Sequence, residues 1–306
     1  MVGGRAHGCR ALELRVQGGI DLRVLPDRGF DVGAAWFRGV PLAWLSAVGE
    51  RAPMDALDGA AWIEGFGGGL VTTCGLRNVG VASEGHGMHG RASHIPARDV
   101  SAVRSLVDGQ AVLTATAVVD EVAALGPHLR LQRTLRTCTG RGLVELEDRT
   151  VNLGATTEAA PLLYHVNLGA PLLDESARVE VPGTEPVPRD AAAREALDAA
   201  TRPGSPVFGA EEVVVERVYA DGGPPQGRAH LINDSLGLAV SVTWERATLP
   251  RLWQWVHRGA GIYALGIEPA NCSVLGRGAD RSAGTLPTLA PGEERVTRLR
   301  IEARSV

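Results

Sequence analysis

Short runs of alternating apolar and polar residues, separated by Gly, Pro, Asp and Asn, recur along most of the 306-residue chain. "ALELRVQGGIDLRVLPDRGFDVGAAWFRGVPLAW" (11–44) reads as three or four strands with tight turns. The same alternation marks 111–122, 129–138, 142–154 and 295–303. Side chains of a strand alternate between two faces. In "LRLQRTLRTC" this sets Leu129, Leu131, Arg133, Leu135 and Thr137 against Arg130, Gln132, Thr134 and Arg136, the pattern of an antiparallel strand with one solvated face. Helix is scarce. "PRDAAAREALDAATRPG" (188–204) is the clear candidate, with Asp190 as cap and Pro203-Gly204 as terminator, and it predicts a short helical insertion near 189–201. No βαβ rhythm is present, and "GFGGGL" (65–70) lacks both the spacing and the following helix of a phosphate-binding loop. The expected fold is all-β: one large antiparallel sandwich or barrel, with residues 1–306 forming a single domain.

Two further strands place polar groups where polar groups are costly. In "PLLYHVNLGAPLLD" (161–174), Tyr164, Val166 and Leu168 make a core face, so His165 and Asn167 look out together from the other side. Both must find partners or face a polar cleft. In "RGAGIYALGIEPANC" (258–272), Ile262, Ala264, Gly266 and Glu268 share a face that shrinks toward the carboxylate and leaves room beside it. Pro269 is expected to end this strand and leave Glu268 at the rim of a concavity. A solvent-facing glutamate at a strand end fits the pattern equally well.

Loops supply more candidates. "EGHGMHGRASHIP" (84–96) holds three of the eight histidines. Gly85, Gly87 and Gly90 argue against a helix, but a glycine-rich loop can still converge His86, His89 and His94 on a metal, with Glu84 nearby. Arg77, in "GGLVTTCGLRNVG" (68–80), can clamp an anion or donate to hydroxyls, or simply sit at the surface.

Composition removes some chemistry. The chain is 44% hydrophobic and 22% charged with a formal net charge of −4, and it has no basic stripe for nucleic acid. It contains no lysine, which excludes lysine Schiff-base catalysis. The four cysteines (9, 74, 138 and 272) form no CxxC pair. No secretory or membrane-spanning apolar run is found, so free thiols and a cytoplasmic location are expected, with no membrane partner.

"CGLRNVG", "HGMHGR", "LLYHVNLG" and "GIEPANC", in that order and after "LPDRGFDVGAAWFRGVPLAW", resemble the aldose 1-epimerase (galactose mutarotase-like) superfamily, in a divergent branch. The resemblance spans most of the chain. It implies a large β-supersandwich with a cleft on a concave sheet, a small-molecule sugar as substrate, and no cofactor or metal. It also assigns Glu268 as base, His165 as acid, and His89 with Arg77 as sugar-binding groups. His86 and Asn167 are possible further contacts from the neighbouring residues. A further ligand-binding acid of that family falls between His165 and Glu268, where Gln254, Asp221 and Asp174 are the candidates. Trp253 and Trp255 share a face with His257 and can stack on a sugar or pack in the core, as can Trp62 and Phe66. The implied reaction exchanges sugar anomers by ring opening. Two alternatives stand beside it: a metal-assisted sugar isomerase or lyase using His86, His89 and His94, and a carbohydrate-binding protein without catalysis.

Overall fold

The computed structural model describes residues 3–220 and 223–306. Asp221 therefore lies outside the described residues. Two large sheets dominate, and every strand pairing within them is antiparallel. The first has eight strands, in the order Arg178–Glu180, Gln226–Asn233, Leu238–Glu245, Glu294–Ser305, Arg141–Asn152, His128–Cys138, Gln110–Val122 and Arg98–Val107. The second has six, in the order Thr184–Pro188, Val213–Tyr219, Arg251–Gly259, Ile262–Ala270, Leu162–Gly169 and Thr72–Gly75. The N-terminal segment folds into a four-stranded sheet of Leu12–Leu14, Ile20–Leu25, Asp31–Phe37 and Val40–Pro41. This is the mostly β, antiparallel architecture that the alternation predicts.

Alternation also fixes what each strand buries. Leu129, Leu131 and Leu135 from the large sheet and Tyr164, Val166, Leu168, Leu265 and Ile267 from the six-stranded sheet belong to one apolar cluster, which extends from Leu14 to Ala303. Arg133 lies on the core face of its strand and is 1% exposed. Its guanidinium meets both oxygens of Asp148 at 2.9 and 2.6 Å, Asp31 Oδ1 at 2.7 Å and Thr73 Oγ1 at 2.7 Å. Tyr164 donates its hydroxyl to Asp148 at 2.7 Å. Burial penalises the Arg133 charge, but Asp148 and Asp31 outweigh that penalty and hold it protonated.

The helical insertion is real but short. Asp190 accepts from the Ala193 amide at 2.9 Å and caps Ala191–Glu195, and a 3₁₀ turn follows at Leu197–Ala200. At the other extreme of the fold, strand Arg98–Val107 closes one edge of the eight-stranded sheet and is exposed along its whole length. Its register shifts between Arg98 and Ser101, where Asp99 adopts φ 52°. No helix among the described residues is long and apolar enough to cross a membrane.

Candidate functional site

The middle of the six-stranded sheet brings His165 and Glu268 together. Val166 pairs with Ile267 and Asn167 with Gly266, which sets His165 beside Glu268 on the same face of adjacent strands. His165 Nε2 lies 3.2 Å from Glu268 Oε1, and the two side chains are 7% and 4% exposed. Glycine at 266 makes this possible. A Cβ there would stand 2.5 Å from Glu268 Oε1 and 3.0 Å from His165 Cε1. The narrowing face in the sequence thus makes room for the acid and the imidazole themselves.

Contrary to expectation, this strand does not end at Pro269. It runs through Pro269 to Ala270, and Glu268 sits at the floor of the cavity instead of its rim. Pro269 is tolerated because the ladder toward Leu162–Gly169 is interrupted between the Val166–Ile267 and Leu163–Ala270 pairs, where no donor is required.

Electrostatics follow from burial. Desolvation, with a smaller push from the Glu212 charge, raises the Glu268 pKa to about 8. Desolvation, reinforced by His89, lowers that of His165 to about 3. The 3.2 Å contact would be an ion pair only with the proton on the imidazole. Burial opposes both charges, so the resting pair is a carboxylic acid beside a neutral imidazole. Glu268 Oε1 and His165 Nδ1 have no hydrogen-bond partner among the described residues.

Above the pair opens a cavity of about 500 Å³ with mostly apolar walls. Phe66 and Trp255 flank His165, with ring centroids 5.1 and 5.5 Å away, and Trp44 lies 5.7 Å from both. Trp62 stacks on Phe66 at 4.5 Å and meets His89 at 4.6 Å. Trp253, by contrast, is buried and donates to the Cys272 carbonyl at 3.2 Å, so it belongs to the packing beneath the site.

The histidines of "EGHGMHGRASHIP" go to three places. His89 reaches the cavity, 6.3 Å from the His165 ring, from a residue with φ 54°. Its loop is held close by glycines, since Gly80 and Gly90 approach neighbouring backbone too tightly for any side chain. Burial lowers the His89 pKa to about 4, so its imidazole is neutral near pH 7. His86 stays outside the cavity lining; burial, followed by the charges of Arg77 and Arg277, lowers its pKa to about 4. His94 is buried on the 3₁₀ turn Ala92–His94, not on the strand that comes after it, and its Nδ1 accepts from the Met54 amide at 3.0 Å. Glu84 is taken up by Arg277 and Arg281, each at 2.9 Å. Among the described residues, no group of three His, Cys, Asp or Glu side chains is arranged to hold a metal ion, so the three-histidine centre is not formed.

Four other candidate contacts are also absent from the cavity lining. Arg77 is not among the residues lining it, and its carbonyl accepts from Arg277 at 2.8 Å. Asn167 is fully buried and donates to the carbonyls of Gly69 and His165 at 2.8 and 2.9 Å, which locks the strand that carries the histidine. Gln254 points to the opposite face of its strand from Trp255. Its amide is committed to Arg217 and the Ala200 carbonyl, at 2.8 and 2.7 Å, and anchors the helical insertion. Asp174 caps its own turn through Ser176.

Arg189 and Glu212, which the sequence did not single out, line the cavity and pair with each other at 2.8 Å. Glu212 also accepts from Trp255 Nε1 at 3.0 Å. It is an acid in the cavity wall, between His165 and Glu268 in the chain. Only the predicted helix start beside Arg189 hinted at this pair; "AEEVVV" carries no spacing signal.

Known structures share this fold. A structure from Klebsiella pneumoniae subsp. pneumoniae, provisionally named an aldose 1-epimerase, superposes with a TM-score of 0.90 at 22% identity, covering 99% of this chain and 81% of that one. A galactose mutarotase-like protein from Clostridium acetobutylicum gives a TM-score of 0.64 at 14% identity, covering 97% and 99%. A provisionally named aldose 1-epimerase from Escherichia coli K12 gives 0.63 at 16%, covering 98% and 100%. At these identities the likeness establishes the galactose mutarotase-like fold alone. None of the curated proteins matches the chain. The model of one family, described as a domain of unknown function (DUF4432), matches residues 6–303, and this chain belongs to that family.

Proposed function

We propose that this protein is a cofactor-independent sugar mutarotase, an aldose 1-epimerase-like isomerase that exchanges the anomers of a free aldose. The observation that carries the proposal is the buried His165–Glu268 pair at the floor of an aromatic-walled cavity. Anomer exchange needs one group to take the C1 hydroxyl proton and another to deliver a proton to the ring oxygen. A neutral imidazole and a protonated carboxyl supply both. His165 accepts the C1 hydroxyl proton as the C1–O5 bond breaks, its electron pair leaves on O5, and Glu268 gives its proton to that oxygen. The open aldehyde rotates about C1–C2. The pair now holds an imidazolium beside a carboxylate, and reclosure returns both protons.

This order inverts the roles implied by the family resemblance, because burial leaves the proton on Glu268. In this reading His89 holds a hydroxyl of the sugar, and the paired Arg189 and Glu212 bound the cavity. The low-polarity walls strengthen every charge that develops between them.

Exchange spectroscopy by NMR across a panel of aldoses tests the reading. The protein should accelerate anomer exchange, and Glu268→Gln and His165→Ala should each lower the rate by about 100-fold or more. Unchanged exchange in both variants would remove the assigned pair from the reaction.

A further inference from the structure

We propose that the cavity selects a neutral deoxyaldose, a sugar lacking the hydroxyl at C2 or C6, over its fully hydroxylated counterpart. The proposal rests on the mutarotase reading and deepens it, because that reading fixes which sugar atoms reach the floor.

Polar partners in the cavity are scarce. With O1 and O5 given to His165 and Glu268, few groups remain for the other hydroxyls. Ser46 lines the cavity, but its hydroxyl donates to the Phe66 carbonyl at 2.6 Å and accepts from the Val48 amide at 3.1 Å. The His257 Nδ1 is engaged by the Gly259 amide at 3.1 Å. His89 Nδ1 faces the Gly80 amide at 3.4 Å, which leaves the far side of the ring for a ligand. Arg189 and Glu212 line the wall but hold each other, and Glu212 also takes the Trp255 indole N–H, so little of either is left for a hydroxyl.

Around the reacting atoms themselves the surface is carbon. C2 is bonded to C1, and C5, which bears C6, is bonded to O5, so their substituents come to rest at the depth of the catalytic pair. At that depth stand Phe66 and Trp255, with centroids 5.1 and 5.5 Å from the His165 ring. A hydroxyl placed against them loses its water and gains no partner, whereas a methylene or methyl group packs on the rings. Charge points to a neutral sugar. The Arg189 guanidinium is matched by Glu212 and by Asp190, both at 2.8 Å, so it offers little to a phosphate or a carboxylate.

The test pairs sugars that differ by one hydroxyl: 2-deoxyribose with ribose, 2-deoxyglucose with glucose, 6-deoxygalactose with galactose, and 6-deoxymannose with mannose. Binding is measured by saturation-transfer difference NMR and turnover by exchange spectroscopy, both on the intact protein. In at least one pair the deoxy member should be favoured by about 10- to 100-fold in affinity and kcat/KM, the range open to a pocket that discriminates by an unpaired hydroxyl. Equal or stronger use of the hydroxylated member in every pair overturns the proposal, as does a failure of all eight sugars to bind. Tighter binding of a deoxy sugar without exchange of any sugar upholds the cavity's preference and overturns the mutarotase reading. Exchange that favours hydroxylated sugars does the reverse.

Discussion

At Gly266 a single methyl group decides whether Glu268 and His165 can meet. An alanine there would force the Glu268 carboxyl aside, because its Cβ would lie 2.5 Å from Oε1. Gly266→Ala should lower anomer exchange by about 100-fold while costing only about 1–3 kcal/mol of stability, the usual penalty for overpacking. Exchange NMR and urea unfolding read the two effects separately. Protonation is set at the same place. The productive pair carries one proton, so activity should hold between the His165 value of about 3 and the Glu268 value of about 8. Above that window Glu268 ionises and no acid remains; below it His165 is protonated and no base remains. A pH profile of catalysed exchange, corrected for the spontaneous rate, should therefore turn down near the Glu268 value of about 8. Glu212→Gln should move that turn to lower pH, since the Glu212 charge is one of the causes holding the Glu268 proton in place. Roles at this scale were only partly legible in the sequence. The period-two pattern placed His165 opposite the core face of its strand and Glu268 on a narrowing face, and left a cleft as one of two readings for each. It carried no information on burial deep enough to reverse their resting protonation, nor on Gln254 facing away.

A strand with two differently used faces is the central element. Along Leu162–Gly169, Tyr164 reaches into the Arg133 network while His165 turns to the cavity. Arg133→Met would leave Asp31 and Asp148 buried without their cation. It should cost about 3–5 kcal/mol in chemical denaturation, as expected when one member of a buried ion pair is removed. In the sequence Arg133 simply shares a face with Leu129, Leu131 and Leu135, and its partners Asp31, Thr73 and Asp148 lie far apart in the chain. The strands at 111–122, 129–138, 142–154 and 295–303 were legible because each alternates over many residues. The insertion was legible in place and extent, but not in its division into two kinds of helix. Its α-helical hydrogen bonding stops at Glu195, and the chain then tightens into a 3₁₀ turn held from outside by Gln254 and Arg217. Such tertiary anchors leave no periodic trace.

For the molecule as a whole, the sheet order could not be read from the pattern of strands. Neighbours such as Val213–Tyr219 and Arg251–Gly259 are separated by other elements that pair elsewhere, so only the likeness of the motifs pointed to this arrangement. The same order leaves Arg98–Val107 with an open side. A row of backbone groups lies along it, beside Val103 at 58% and Leu106 at 74% exposure. Such a margin is a template on which another chain could extend the sheet. The bulge at Asp99 and the charges of Arg98 and Arg104 interrupt it, as guarded edges do elsewhere. Arg104→Val should therefore raise the average mass seen by light scattering relative to the parent protein at equal concentration, while anomer exchange at the distant cavity stays unchanged. The restraint on this margin then concerns shelf life and crowding more than chemistry: how long a concentrated solution stays clear rests on a few charges far from the cavity.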